Sequence, residues 1–136
     1  MTNTVSHKRL RYDYAEVSEL DGGQCRVKVS IALGERVIEK DAINSDDGAG
    51  RLKAAAVATL KAIEDSVEGR FTATLADLDH VSALGKDLIA VLVDIVFEGK
   101  EVQVFGSCQI AGSELDAAVK SALNATNRFF ELAMRG

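Results

Sequence analysis

Residues 25–43 read Cys25-Arg26-Val27-Lys28-Val29-Ser30-Ile31-Ala32-Leu33-Gly34-Glu35-Arg36-Val37-Ile38-Glu39-Lys40-Asp41-Ala42-Ile43. Val27, Val29, Ile31 and Leu33 alternate with Arg26, Lys28, Ser30 and Ala32. A period of two puts one set of side chains on a core and the other toward water, so Cys25–Leu33 reads as a half-buried strand. Gly34-Glu35 is a tight hairpin turn, and Arg36–Ile43 is the partner strand. Working outward, Arg9–Leu20 is a first strand, with Tyr12 and Tyr14 and then Val17 and Glu19 spaced by two. Asp21-Gly22-Gly23 turns the chain between the two. The first third is therefore a three-stranded antiparallel meander.

The period then changes. After the loop Asn44–Gly50, residues Leu52, Ala55, Ala56, Thr59, Leu60, Ile63 and Val67 recur at steps of three and four, which predicts a helix over Arg51–Val67 ended by Gly69. The cycle begins again with an alternating strand, Arg70–Leu78, and a turn region, His80–Gly85. Asp87–Phe97 is almost wholly apolar and rich in β-branched residues, so it reads as a central strand covered on both faces. Glu98-Gly99-Lys100 turns the chain into a last strand, Glu101–Ile110. Ser113 is a natural N-cap for a second helix, Leu115–Met134, whose stripe is Leu115, Ala118, Val119, Ala122, Leu123, Thr126, Phe130 and Ala133. Phe129-Phe130 reads mostly as core, and because two adjacent aromatics do not both face one stripe, one of them is a candidate for an interface.

The two halves match in order and partly in letter. Leu52-x-x-Ala55-Ala56-x-x-Thr59-Leu60 parallels Leu115-x-x-Ala118-Val119-x-x-Ala122-Leu123. Ser18-Glu19-Leu20-Asp21 also echoes Ala76-Asp77-Leu78-Asp79, at a smaller offset. The fold class expected is α+β, duplicated βββα units in the order βββαβββα, with mainly antiparallel sheets and helices packed on them. Residues 1–136 form a single domain, with pseudo-repeat halves 9–68 and 69–134. Neither half buries its apolar face alone, so the halves share a core about a pseudo-two-fold axis.

Composition narrows the function classes. The net charge is −5 and the basic residues are scattered, which disfavours nucleic acid as a partner. The one basic cluster, His7-Lys8-Arg9-Arg11, lies near the terminus and reads as a solvated lead-in. The opening MTNTVSHKRLRYDY has no apolar signal segment, and the apolar run Leu88–Val93 is too short to span a bilayer, so no membrane role is expected. Cys25 and Cys108 stand far apart, and with His7 and His80 they complete no zinc pattern. The expectation is a cytoplasmic protein with reduced thiols and neither metal nor cofactor.

Two kinds of candidate site remain. Asp77, Asp79 and His80 form the best local polar cluster; carboxylates beside an imidazole suit acid–base chemistry, and a solvated turn is the plainer role. The loops entering the helices contain Asp47, Gly48 and Gly50 in the first half, and Gly112 and Ser113 in the second. Each can present backbone N–H groups at a positive helix end, where a ligand carboxylate is favoured; a turn with a cap is the alternative. There is no P-loop, no dinucleotide fingerprint and no nucleophile elbow.

Gly85-Lys86-Asp87, Phe105-Gly106-Ser107, Ser113-Glu114-Leu115-Asp116-Ala117-Ala118 and Ala122-Leu123-Asn124-Ala125-Thr126-Asn127-Arg128 together carry a resemblance. In this order they resemble the C-terminal regulatory domain of the 2-isopropylmalate synthase, citramalate synthase and homocitrate synthase family, its allosteric and dimerisation domain. Asn127-Arg128 matches an Asn-Arg pair in that family. The first-half loop, Asp47-Gly48-Ala49-Gly50-Arg51-Leu52, lacks the family's Pro and its Asp entering the helix. A catalytic (β/α)₈ barrel needs about 250 residues, far more than this chain has. The resemblance implies a free-standing, non-catalytic regulatory domain: a homodimer that binds a small carboxylate, an amino acid or a 2-oxo acid. A structural adaptor for a separate synthase-like chain, and a small enzyme using Asp79 and His80, are the other readings.

Overall fold

In a computed structural model the described residues run from Arg9 to Arg135. The order is β1 (Leu10–Leu20), β2 (Gln24–Leu33), β3 (Arg36–Ser45), α1 (Gly48–Ser66), β4 (Phe71–Ala83), β5 (Lys86–Phe97), β6 (Lys100–Gln109) and α2 (Glu114–Arg135). Strands β1, β2 and β3 form one antiparallel sheet, and β4, β5 and β6 form a second. The protein is thus α+β, with the βββα unit repeated.

Each helix packs on the inner face of its own sheet. The helices also touch one another, α1 reaches β4, and α2 reaches β1. This crossing explains a burial pattern that the helical stripes alone do not give. Ala54, Ala58 and Ala62 of α1 are buried along with the expected stripe, as are Ala117, Ser121 and Ala125 of α2. Alanine is the residue that lets a helix approach neighbours on two sides. Buried hydroxyls on these helices turn back on the backbone: Thr59 donates to the Ala55 carbonyl, Thr126 to Ala122, and Ser121 to Ala117 and Ile89. Apart from Ala32 and Ala90, the buried apolar residues of both halves fall in one continuous core.

Two glycines are fixed by close approach. A Cβ on Gly50 would overlap the Ser45 carbonyl, where α1 begins tucked against the end of β3. A Cβ on Gly106 would overlap the Ser121 carbonyl and the Ala125 amide, where α2 lies directly on β6. At the far end, Phe71, Phe97 and Phe129 meet edge to face, with centroids 5.9–6.4 Å apart. Phe129, the aromatic off the α2 stripe, therefore packs in this trio while Phe130 is buried in the core.

Four readings of the sequence need correction. Strand β4 continues to Ala83, so His80 is in a strand and not in a turn; the bulge between Leu75 and Asp77 restores pairing to β5 and carries the strand on. Helix α1 begins at Gly48, three residues early, because Asp47 caps it. Strand β5 is central but its outer face is not fully covered: Leu88 and Leu92 remain half-buried there. The echo between Leu20 and Leu78 is not a structural equivalence, since Leu20 ends its strand while Leu78 lies mid-strand and buried. Of the basic cluster, His7 and Lys8 lie outside the described residues, and Arg11 pairs with Asp13 at 3.3 Å.

Candidate functional site

The polar triplet Asp77, Asp79 and His80 is divided by the sheet. Asp77 pairs with Leu92 and Asp79 with Ala90, on the outer face, whereas His80 pairs with Ile89, on the inner face. The two aspartates bind backbone amides beside them, Asp77 that of Leu78 at 2.8 Å and Asp79 that of His80 at 2.9 Å. The imidazole instead lies between Asp87 (3.5 Å) and Glu114 (3.6 Å). Alternation along a strand decides this outcome, and reading residues 80–85 as a turn hid it.

The loop before α1 is occupied by its own side chains. The Asp47 carboxylate accepts from the Gly50 amide at 2.7 Å, and the Arg51 guanidinium lies 2.7 Å from Asp46. The Gly50 N–H, and then the Ser45 hydroxyl, hold the Asp47 carboxyl below the usual carboxylate range. Gly48 is exposed at the first turn and Gly50 is buried against Ser45. A ligand carboxylate at this helix end competes with Asp47 itself.

The loop before α2 gathers more. Gly112 holds a left-handed φ of 95°, and the Ser113 hydroxyl accepts from the Asp116 amide at 3.1 Å. Asp116 in turn accepts from the Tyr12 hydroxyl at 2.5 Å, a bond from the second half to the first. Burial, then this bond and the aspartate's charge, push the Tyr12 hydroxyl well above its ordinary pKa. With His80, Asp87 and Glu114, the first turn of α2 collects polar groups from β1, β4 and β5. Its charge is mainly negative. Among the described residues, no group of three His, Cys, Asp or Glu is placed to hold a metal ion.

Two helix residues that the repeat aligns do similar work. Lys61 donates to the Asp41 carbonyl at 3.1 Å, and Asn124, 63 positions later, donates to the Ser107 carbonyl at 2.8 Å. Each reaches the open edge of the third strand in its half. Asn127 and Arg128 are exposed on α2, so the contact to a strand belongs to Asn124.

The outer sheet faces differ. On the first sheet, Arg26–Asp41 and Lys28–Glu39 ion pairs lie across the centre, and Tyr14 donates to Glu39. On the second, the centre is Leu88, Ala90 and Leu92 of β5, flanked by Val81 and Phe105, and Phe105 is 66% exposed. The sequence signal for this patch is the apolar run of β5, whose composition reads as a strand covered on both faces. Compared with protein-family models and with curated proteins, the chain finds no match.

Proposed function

We propose that the chain is a non-catalytic, regulatory-type domain that works as a pair in the cytoplasm, self-associating through its second sheet. The observation carrying this reading is the apolar centre formed by Leu88, Leu92 and Phe105, set against the ion-paired outer face of the first sheet. Exposed aromatics grouped with aliphatic residues mark association surfaces. The free thiols Cys25 and Cys108 are in keeping with a reducing compartment. Light scattering coupled to gel filtration tests the pair. The wild type should elute as a dimer, and Leu92→Thr/Phe105→Ser as a folded monomer with cooperative unfolding. A wild-type chain that stays monomeric over a wide concentration range overturns the proposal.

A second reading, binding of a small effector, is favoured by the junction at the first turn of α2, where Tyr12 of one half meets Asp116 of the other. Asp87, Glu114 and Asp116 repel an incoming carboxylate and attract an amine, so the chemistry suits an amino acid held through its ammonium group. In a thermal-shift series amino acids should raise the melting midpoint while the matching 2-oxo acids do not, and Glu114→Gln should cancel the rise. Midpoints unmoved by every amino acid remove this reading.

A further inference from the structure

The four edge strands are protected unequally. Strand β1 has a bulge between Tyr12 and Tyr14 and carries Arg11, Asp13, Glu16 and Glu19. Strand β3 carries Arg36, Glu39, Lys40 and Asp41, with Lys61 on its Asp41 carbonyl. Strand β4 has its bulge, Asp77 and Asp79, and the Glu64 carboxylate accepts from its Ala73 amide at 2.7 Å. Strand β6 pairs with β5 in unbroken register, and from Val102 to Gln109 it contains no charged residue. Bulges, charges and side-chain caps are the devices that keep sheet edges from pairing. Of these four strands, β6 alone has no bulge and no charge beyond its first two residues, Lys100 and Glu101.

The register fixes which groups of β6 face outward. Ile110 N–H donates to the Asp87 carbonyl, and directly opposed residues alternate between bonded and non-bonded pairs. Val102, Val104, Gly106 and Cys108 therefore bond to β5, while the amides and carbonyls of Glu101, Gln103, Phe105 and Ser107 point away from the sheet. Asn124 takes the Ser107 carbonyl, leaving Gln103 and Phe105 as the open centre of the edge. The exposed Phe105 ring stands on that same strand, and a shallow hollow of about 420 Å³ lined by Asp94, Val96, Glu101, Val102 and Gln103 adjoins it.

We infer that β6 is the seam of the pair: it joins antiparallel to β6 of a second copy, making one six-stranded sheet across the dimer. This rests on the self-association proposed above and names its geometry. The occupant is a second copy because a strand meeting itself antiparallel is two-fold and closed. Among the described strands it uses the least protected edge of each copy and leaves the more guarded edges outside, so the assembly stops at two. Centring the seam on Val104 sets Gln103 of one copy opposite Phe105 of the other and keeps Glu101 away from its own counterpart.

Amide hydrogen exchange by NMR and gel filtration of full-length chains test the seam together. In the dimer the Gln103 and Phe105 amides should exchange slowly, and dilution to monomer should release them. Gln103→Pro removes an outward N–H from each copy and should weaken the dimer roughly thirtyfold, the cost of two net hydrogen bonds. Gln103→Ala keeps the amide and should dimerise as the wild type does. A dimer whose Gln103 and Phe105 amides exchange fast, and which ignores Gln103→Pro, overturns the seam but leaves association through the sheet face standing. A chain that never dimerises overturns both.

Discussion

At Gly106 the missing side chain is what brings α2 onto β6. Gly106→Ala forces the Ser121 and Ala125 backbone away and should cost about 2 kcal/mol or more, the scale of overpacking a dense core, read as a lower denaturation midpoint. Asp47 works through charge as well as geometry. Its carboxyl is held below its ordinary range in the folded chain, so its stabilisation is present above the unfolded-state pKa and fades as pH falls through the folded value. Asp47→Ala should lower the melting midpoint at neutral pH, and the gap from wild type should close in acid. Tyr12 has the opposite sign. Its hydroxyl is raised, so its contribution is complete below the ordinary tyrosine pKa and is lost as pH climbs beyond it. Tyr12→Phe should therefore flatten the alkaline fall in stability, measured as unfolding midpoint against pH. Tyr12's role is not written in the sequence as a motif; Asp47 is legible there as a candidate cap, and Gly106 only as part of Phe105-Gly106-Ser107, which does not disclose the close approach of α2.

At the scale of elements the sequence was informative where one neighbour decides the pattern. Strand β2 alternates over its first half, where Arg26 and Lys28 face outward, whereas Ser30 and Ala32 on the same outer face are buried; its limits agree within a residue. The helical stripes held for the same reason. Legibility failed where an element has two neighbours or where a strand continues through polar residues. Helix α1 has Ala54, Ala58 and Ala62 buried beyond its stripe, because β4 and α2 press on it in addition to its sheet. No periodicity of one helix discloses a second helix beside it. Ala58→Leu tests this: on a one-sided helix it would be mild, whereas here it should cost about 1–3 kcal/mol in chemical denaturation. The candidate site was hidden in the same way, since Glu114 reaches His80 only through the packing of α2 against the second sheet and Asp87 only across the β4–β5 pairing.

For the whole molecule, the repeat is architectural more than chemical. Both halves make the same meander and helix, and both send a helix side chain, Lys61 or Asn124, to an edge carbonyl. The loops differ: the first is closed by Asp46 and Asp47 on their own neighbours, and the second is tied across to Tyr12. Arg70, just after the junction between halves, donates to the Ala133 carbonyl near the end of α2 and binds the last element to the middle of the chain. If the halves share one core, pieces cut at Glu68-Gly69 should each lack a cooperative melt, while the mixture regains one by calorimetry. Every strand in both sheets pairs only with a neighbour in sequence. Such a chain needs no long loop closure to begin, so each meander can form as it is synthesised. The first meander is ready as it leaves the ribosome, but α1 keeps an alanine face bare until β4 and α2 arrive. The vulnerable interval for aggregation during synthesis is set by the time taken to make the second half, and slow codons placed there would lengthen it.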